Sequence, residues 1–419
     1  MRKLNVGFVG LGGRGRGILN MVLAMDDVEV KVVCDMRQER LEMGLAACKE
    51  KYGYDVAGTL NHKEAVARDD IEAVIIPSSW NDHLKIARDA MEAGKYAAFE
   101  VGPAQNVNEC WEMIRTYERT GVPCMILENC CYGRYELTVL NMIKKGLFGE
   151  LIHAQGGYEH DLRGLARGTE TELERTYHYI HRNGELYPTH ELGPIMSYLS
   201  INRGNRMLTL TAMASKSRGL RAYIDANLGG TDYLKQQNLH EPAPFQLGDI
   251  VTTMIRCAHG ETIILTHDTT LPRPYSRGGR IQGTKGLWME DNDSIYIEGR
   301  SPDHTWEPMS NYWAEYEHPL WKEFYKNIKG GHGGMDYLVM RGFLEAVRNK
   351  VEPPIDVYNS MSMIIVSCLS EESIAMGGAP VAIPDFTDGK WIKRSPGPKS
   401  IFSLTEVHDD LFTADTLEI

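Results

Sequence analysis

Leu4-Asn5-Val6-Gly7-Phe8-Val9-Gly10-Leu11-Gly12-Gly13-Arg14-Gly15 is an apolar run of strand length that enters a glycine cluster and then a helical pattern. Gly10, Gly12, Gly13 and Gly15 allow a tight turn there, and they let a pyrophosphate approach the N–H groups of the helix start. Asp35 stands at the end of the next β-rich run, about 20 residues on, where a carboxylate accepts hydrogen bonds from ribose hydroxyls and repels a 2′-phosphate. NAD is therefore expected in preference to NADP, with Arg37 close enough to leave NADP open.

Working outward, Val28–Cys34, Ala73–Ile76, Tyr96–Phe99 and residues 124–127 alternate with helical patterns. Leu84, Ala87 and Met91 mark one helix face, stopped by Gly94; Val107, Cys110, Trp111, Ile114 and Tyr117 mark another, opened by Asn106 with Glu109 as a capping box. This predicts an α/β Rossmann domain, doubly wound around a mainly parallel sheet, over residues 1–148. Beyond it, 151–158, 207–213, Ile250–Cys257, Thr262–Asp268 and 294–298 follow one another as strands with few helices between them. They predict an α+β domain with an open, mainly antiparallel sheet over 149–419, serving substrate binding and oligomerisation. Its C-terminal segments have the alternative of packing back on the first domain. Helical patterns return at 194–201, 321–328, 337–348 and 360–375, and the polar stretch 163–184 reads as a long functional loop.

At 419 residues the chain is long enough for two cores, and no apolar run reaches the roughly 18 residues of a membrane span. A net charge of -12 with scattered Lys and Arg disfavours nucleic acid, so a small-molecule substrate is expected, with no membrane partner. The eight cysteines form no C-x-x-C pair and read as buried thiols; no His or Cys spacing defends a metal, and none is assigned. The first apolar segment runs straight into glycines, unlike a signal peptide, so a cytoplasmic protein is expected, a periplasmic one if a leader has been removed. The open sheet face makes a homo-oligomer the expected assembly.

Two further turns leave strands at their carboxyl ends: Pro77-Ser78-Ser79-Trp80-Asn81-Asp82-His83 and Glu100-Val101-Gly102-Pro103. With them the sequence resembles the glucose-fructose oxidoreductase / inositol dehydrogenase / MocA family over nearly its whole length. Dehydrogenases of that family carry Glu-Lys-Pro here and an Asp four positions before a catalytic His; this chain has Val101 and, before His190, Leu186-Tyr187-Pro188-Thr189. The segment Asn183-Gly184-Glu185-Leu186-Tyr187-Pro188-Thr189-His190, with Leu192-Gly193-Pro194 and Ile201-Asn202-Arg203-Gly204, is similar to family 109 of the glycoside hydrolases, the NAD-dependent N-acetylgalactosaminidases. Trp80 with His83, Glu128-Asn129, Gly157-Tyr158, His160-Asp161-Leu162-Arg163 and Tyr275 extend that similarity, whereas Glu191 replaces a usual Gly and Gly102 interrupts the usual Glu-Val-Pro.

The resemblance implies that Gly13, Arg14, Asp35, Trp80, His83, Glu100, Val101 and Asn129 contact NAD. It implies that Tyr158, Arg175, Tyr187, Pro188, Thr189, His190 and Tyr275 surround the sugar, with Tyr187 near both ligands. It also implies a redox-neutral hydrolysis: oxidation at sugar C3, loss of the C2 proton, elimination of the aglycone, addition of water and return of the hydride. His190 is expected to move the C3 hydroxyl proton and Tyr158 or Tyr187 the C2 proton, the assignment between them being open. The rival readings are an NAD(P)-dependent sugar oxidoreductase and a nucleotide-binding sensor without turnover.

Overall fold

A computed structural model describes residues 2–168, 170–237 and 245–412, leaving aside the side chains of 170–173. The chain clusters into two compact units: Met1–Thr138 with Glu317–Ser362 and Ser395–Ile419, and Val139–Tyr316 with Met363–Arg394.

The first unit holds six parallel strands, β1 (Leu4–Val9), β2 (Val28–Cys34), β3 (Ala57–Thr59), β4 (Ala73–Ile76), β5 (Tyr96–Phe99) and β6 (Cys124–Ile126), in the order β3-β2-β1-β4-β5-β6. This is the doubly wound order whose switch point lies between β1 and β4, outside the strands' carboxyl ends. β4 is buried at all four positions, as a strand covered on both faces must be. The crossovers are α1 (Gly13–Leu23), α2 (Gln38–Tyr52), α3 (His62–Val66), α4 (His83–Glu92) and α5 (Val107–Thr120). Asn106 caps α5 by accepting from Glu109 N at 3.0 Å, and Gly121, at φ 67°, ends it.

Later parts of the chain complete this unit. Asp27, before β2, takes N–H donors from Arg341 (2.8 Å) and Arg348 (2.7 Å). The edge strand β6 is closed by the hydroxyl of Ser360, which accepts from Ile126 N at 3.0 Å, and Tyr132 Oη donates to Phe402 O at 2.8 Å.

The second unit is built on β7 (Leu151–Glu159), β8 (Met207–Ala214), β9 (Ile250–Cys257), β10 (Thr262–Asp268), β11 (Arg280–Gly283), β12 (Gly286–Met289), β13 (Ser294–Ile297), β14 (Glu307–Pro308) and β15 (Val381–Ala382). Their order is β14-β13-β12-β11-β7-β10-β9-β8-β15, antiparallel throughout except for β7 beside β10. Val251, Thr253, Ile255 and Cys257 of β9 are buried, while Thr252, Met254 and Arg256 between them are exposed, so one face is packed and the other open.

The stretch 163–184 is not a loop. It forms a short 3-10 turn, Arg163–Arg167, and a helix, Glu170–His181. The helix buries Thr176, His178 and Tyr179, a packing face that carries hydroxyls and rings where aliphatic side chains would give a clear hydropathy signal. Tyr179 joins Leu186, Leu220, Ile224, Leu234, Phe245 and Leu247 in a satellite core, drawing on two helices, Gly219–Asn227 and Gly230–Gln236, that the sequence pattern did not single out.

A Cβ placed on Gly15 would lie 2.2 Å from the carbonyl oxygen of Gly10, whereas one on Gly13 meets nothing within 4 Å. Gly15→Ala is expected to destabilise the protein by about 1–3 kcal/mol and Gly13→Ala to leave stability within about 0.5 kcal/mol, read from urea unfolding midpoints.

Candidate active site

In the first unit, Gly10 turns out of β1 at φ 108°, and its missing side chain lets the turn lie against the backbone of Pro77 and Ser78, 2.8 Å from a notional Cβ. α1 then begins with no capping side chain and no acidic residue in its first turn, and the space beside Gly13 is open. Its N–H groups thus face a position suited to an anion, such as a pyrophosphate. Asp35, only 6% exposed, stands at the tip of β2; Oδ2 accepts from Leu11 N (2.7 Å) and Oδ1 from Arg37 N (2.9 Å). Both bonds fix the carboxylate against the glycine turn.

The same unit gathers the other residues expected around a dinucleotide. Trp80 and His83 are buried after β4, Glu100 and Val101 after β5, and Asn129 after β6. His83 Nδ1 lies 3.2 Å from Glu100 O, and burial pushes its imidazole down to about 4, so it is neutral at physiological pH. Gly102, where the related motif lacks a glycine, has a physical reason: a Cβ there would meet Trp80 Cδ1 at 2.5 Å and His83 Cε1 at 3.0 Å. The residues present therefore fit a dinucleotide.

The second unit gathers the remaining expected residues. Tyr158 closes the packed face of β7, and its ring lies 4.5 Å from Tyr187, 5.2 Å from His190 and 6.3 Å from Tyr275, centroid to centroid. Tyr187 and His190 are 4.9 Å apart and perpendicular. The helix Glu170–His181 brings Arg175 over Tyr187, 4.6 Å from its centroid, and within 5.9 Å of that of Tyr158. Burial works against the charge of Arg175, but the oxygens of Tyr187, Tyr158 and Tyr179 hold it above the ordinary arginine range. Pro188 and Thr189 are buried at the start of the helix Thr189–Tyr198, and Thr189 Oγ1 has no hydrogen-bond partner among the described residues. Tyr275 is 51% exposed, the outermost member of the group.

His160 belongs to this cluster although its role was not read from the sequence. Its Nδ1 is 3.0 Å from Tyr158 Oη, and its ring is 5.0 Å from that of Tyr275. Burial, with the charge of Arg175, lowers its pKa, which keeps the imidazole neutral beside the phenol. The available signal was its place two residues after Tyr158, which returns a side chain to the same side of an extended chain.

Two family descriptions match the chain: "Oxidoreductase family, NAD-binding Rossmann fold" over residues 4–128 and "Glycosyl hydrolase 109, C-terminal domain" over 132–393. A glycosyl hydrolase family 109 protein of Stenotrophomonas maltophilia is 43% identical over 94% of this chain and 91% of its own. The chain belongs to glycosyl hydrolase family 109. An alpha-N-acetylgalactosaminidase of Tannerella forsythia is 42% identical over 94% of this chain and 88% of its own. Among solved structures, an NAD binding oxidoreductase from Klebsiella pneumoniae matches with TM-score 0.68 at 17% identity, covering 91% of this chain and 99% of that one. Scyllo-inositol dehydrogenase from Lactobacillus casei, with bound NAD(H) and scyllo-inositol, matches with TM-score 0.63 at 13% identity over 91% and 99%. These two likenesses concern the fold, which is that of a glycosidase family built on a nicotinamide-dinucleotide-binding Rossmann domain.

In this family 109 chain Glu191 is 1% exposed and takes up the space left by two glycines. A Cβ on Gly156 would fall 1.7 Å from Glu191 Cγ, and one on Gly279 would lie 3.0 Å from Glu191 Oε1. Glu185 is also sealed in: Oε1 accepts from Tyr187 N at 3.3 Å, and its own N–H donates to Ser370 Oγ at 2.8 Å. Burial raises its carboxyl to about 8, so it is protonated at neutral pH. Between about pH 4.5 and 8 the folded state keeps a proton that the unfolded chain has released, so this group's contribution to stability falls as pH rises through that window. Glu185→Gln is expected to remove about 1.4 kcal/mol per pH unit from that slope, measured by urea unfolding across the same range.

Proposed function

We propose that this family 109 enzyme hydrolyses N-acetylgalactosaminides with NAD that is regenerated in each turnover. The carrying observation is the side-chain chemistry around Tyr158. The cluster offers phenols, imidazoles and a guanidinium, while the two carboxyls of its own segment, Glu185 and Glu191, are buried at 0% and 1% exposure. An ordinary glycosidase needs two carboxyls flanking the scissile bond. The names of the Tannerella forsythia and Shewanella oneidensis relatives, both alpha-N-acetylgalactosaminidases, support the choice of sugar.

The bound dinucleotide supplies a reversible hydride acceptor at the sugar ring. The protein's own groups handle protons and charge. His190 takes the proton of the C3 hydroxyl and later returns it. Tyr158 exchanges the C2 proton, with neutral His160 at 3.0 Å to receive the phenolic hydrogen. The guanidinium of Arg175, beside the rings of Tyr187 and Tyr158, stabilises the negative charge that develops when the C2 proton leaves. NAD is preferred over NADP because the Asp35 carboxylate, fixed by Leu11 N and Arg37 N, repels a 2′-phosphate, and because Arg37 faces Glu39 at 3.4 Å.

The test is incubation with p-nitrophenyl N-acetyl-α-D-galactosaminide and its β-anomer, following nitrophenol and NADH together. Nitrophenol release with no net NADH is expected; NADH accumulating with sugar consumption would make the chain a dehydrogenase, and silence in both channels with NAD bound would favour a sensor. His190→Ala is expected to lower kcat by about 10²–10⁴-fold. Activity is expected to fall on the acid side below the ordinary histidine range, as His160 gains a proton and no longer accepts from Tyr158. His160→Asn should move that acid limb in the kcat profile.

A further inference from the structure

Gly330-Gly331-His332-Gly333-Gly334-Met335-Asp336 lies within the stretch that matches the family 109 description but takes no part in the site described so far, and four of its seven residues have positive φ. Gly330 (φ 79°), His332 (49°), Gly333 (65°) and Gly334 (103°) are all left-handed, the last opening the helix Met335–Asn349. A non-glycine residue such as His332 adopts that conformation only where its surroundings hold it.

What the coil achieves is the placement of one carboxylate. Asp336 is 4% exposed and accepts from Arg14 Nη1 (2.6 Å), Arg14 Nη2 (2.9 Å) and Asn129 Nδ2 (2.7 Å), with His332 Nδ1 at 2.9 Å. The missing side chain of Gly331 makes room for it, since a Cβ there would sit 2.6 Å from Asp336 Oδ2. Arg14 is held on its other side by Glu100, Nη2 to Oε1 at 2.9 Å. Arg14 opens α1 and Asn129 follows β6, so a single carboxylate fixes two side chains from opposite sides of the switch point, each of them expected to touch the dinucleotide.

We propose that the Gly330–Asp336 coil is a proton-sensitive clamp of the dinucleotide site, in which Asp336 positions Arg14 and Asn129 and His332 sets the charge presented to the cofactor's pyrophosphate. The inference rests on the reading of this unit as an NAD site. Three charged groups face His332: Asp336 from its own coil and helix, Arg14 from α1 and Glu100 from the end of β5. The hydrogen bond to Asp336 raises its pKa, and its side chain remains 57% exposed and open to solvent protons. With His332 neutral, one cation stands between two carboxylates and the cluster carries a net negative charge. With His332 protonated the cluster is balanced, and an anionic pyrophosphate is no longer opposed. Dinucleotide affinity therefore falls as pH rises through the titration of His332.

The experiment is direct titration of NADH, by its own fluorescence, into the full-length wild type, His332→Gln and Asp336→Asn at pH 6 to 9. Wild type is expected to bind about fivefold to tenfold more weakly at the alkaline end. His332→Gln, a change at an exposed position, should give a dissociation constant that is flat with pH, and Asp336→Asn one raised by about tenfold or more at every pH. A His332→Gln curve parallel to that of wild type, or folded Asp336→Asn with wild-type affinity, overturns the clamp while leaving the NAD enzyme intact. If Asp336→Asn does not fold, the His332→Gln profile decides alone. Wild type that binds no NADH at all overturns the cofactor reading and the clamp with it.

Discussion

The carbonyl oxygen of Gly10 lies so close to α1 that residue 15 has no space for a side chain, a notional Cβ falling 2.2 Å from that oxygen. This contact draws the helix start down onto the turn and fixes everything around it. It leaves Leu11 N where Asp35 can accept from it, and it sets Arg14 at the first turn of α1, within reach of Glu100 and Asp336. A chain that could not make this approach would lose the alignment of the helix N–H groups with an anion, and the acidic residues at the strand ends would have nothing to hold.

The second unit uses the same physical device in a different setting. Gly156 on β7 gives up its side chain so that the helix Thr189–Tyr198 can press Glu191 against the strand, and this close packing carries Tyr187 and His190 up to the ring of Tyr158. Beside His190 stands a carboxylate whose space is supplied by Gly156 and Gly279. The total volume is thus balanced across the interface between helix and sheet, as a closely packed interior requires. The carboxyl of Glu185, kept neutral by burial, packs under the same segment.

How legible these features were in the sequence depended on how far apart the partners lie. The glycine run from Gly10 to Gly15, Asp35 and the parallel strands could be read because each announces itself within a short window of pattern. Tyr158, Arg175, Tyr187, His190 and Tyr275 were found through motif likeness, and their meeting needed the sheet register and the helix Glu170–His181. That helix reads as a loop in the sequence because its buried side is made of Thr176, His178 and Tyr179. Asp336 gave no local signal of its role, since its partners Arg14 and Asn129 lie 322 and 207 positions away. The sharp turns around His332, and the groups they serve, are seen only in the packed fold.

The order in which the chain is made gives the return of Glu317–Ser362 to the first unit a further consequence. When β1 to β6 leave the ribosome, Arg14 and Asn129 are present but the carboxylate that joins them is not. The intervening 207 residues take roughly 10–40 s to synthesise at about 5–20 residues per second. During that interval the nascent dinucleotide fold has an edge strand without Ser360 and an arginine without Asp336. The newborn first unit thus stays incomplete until Glu317–Ser362 has been translated, a timing set entirely by where in the gene its last parts are encoded.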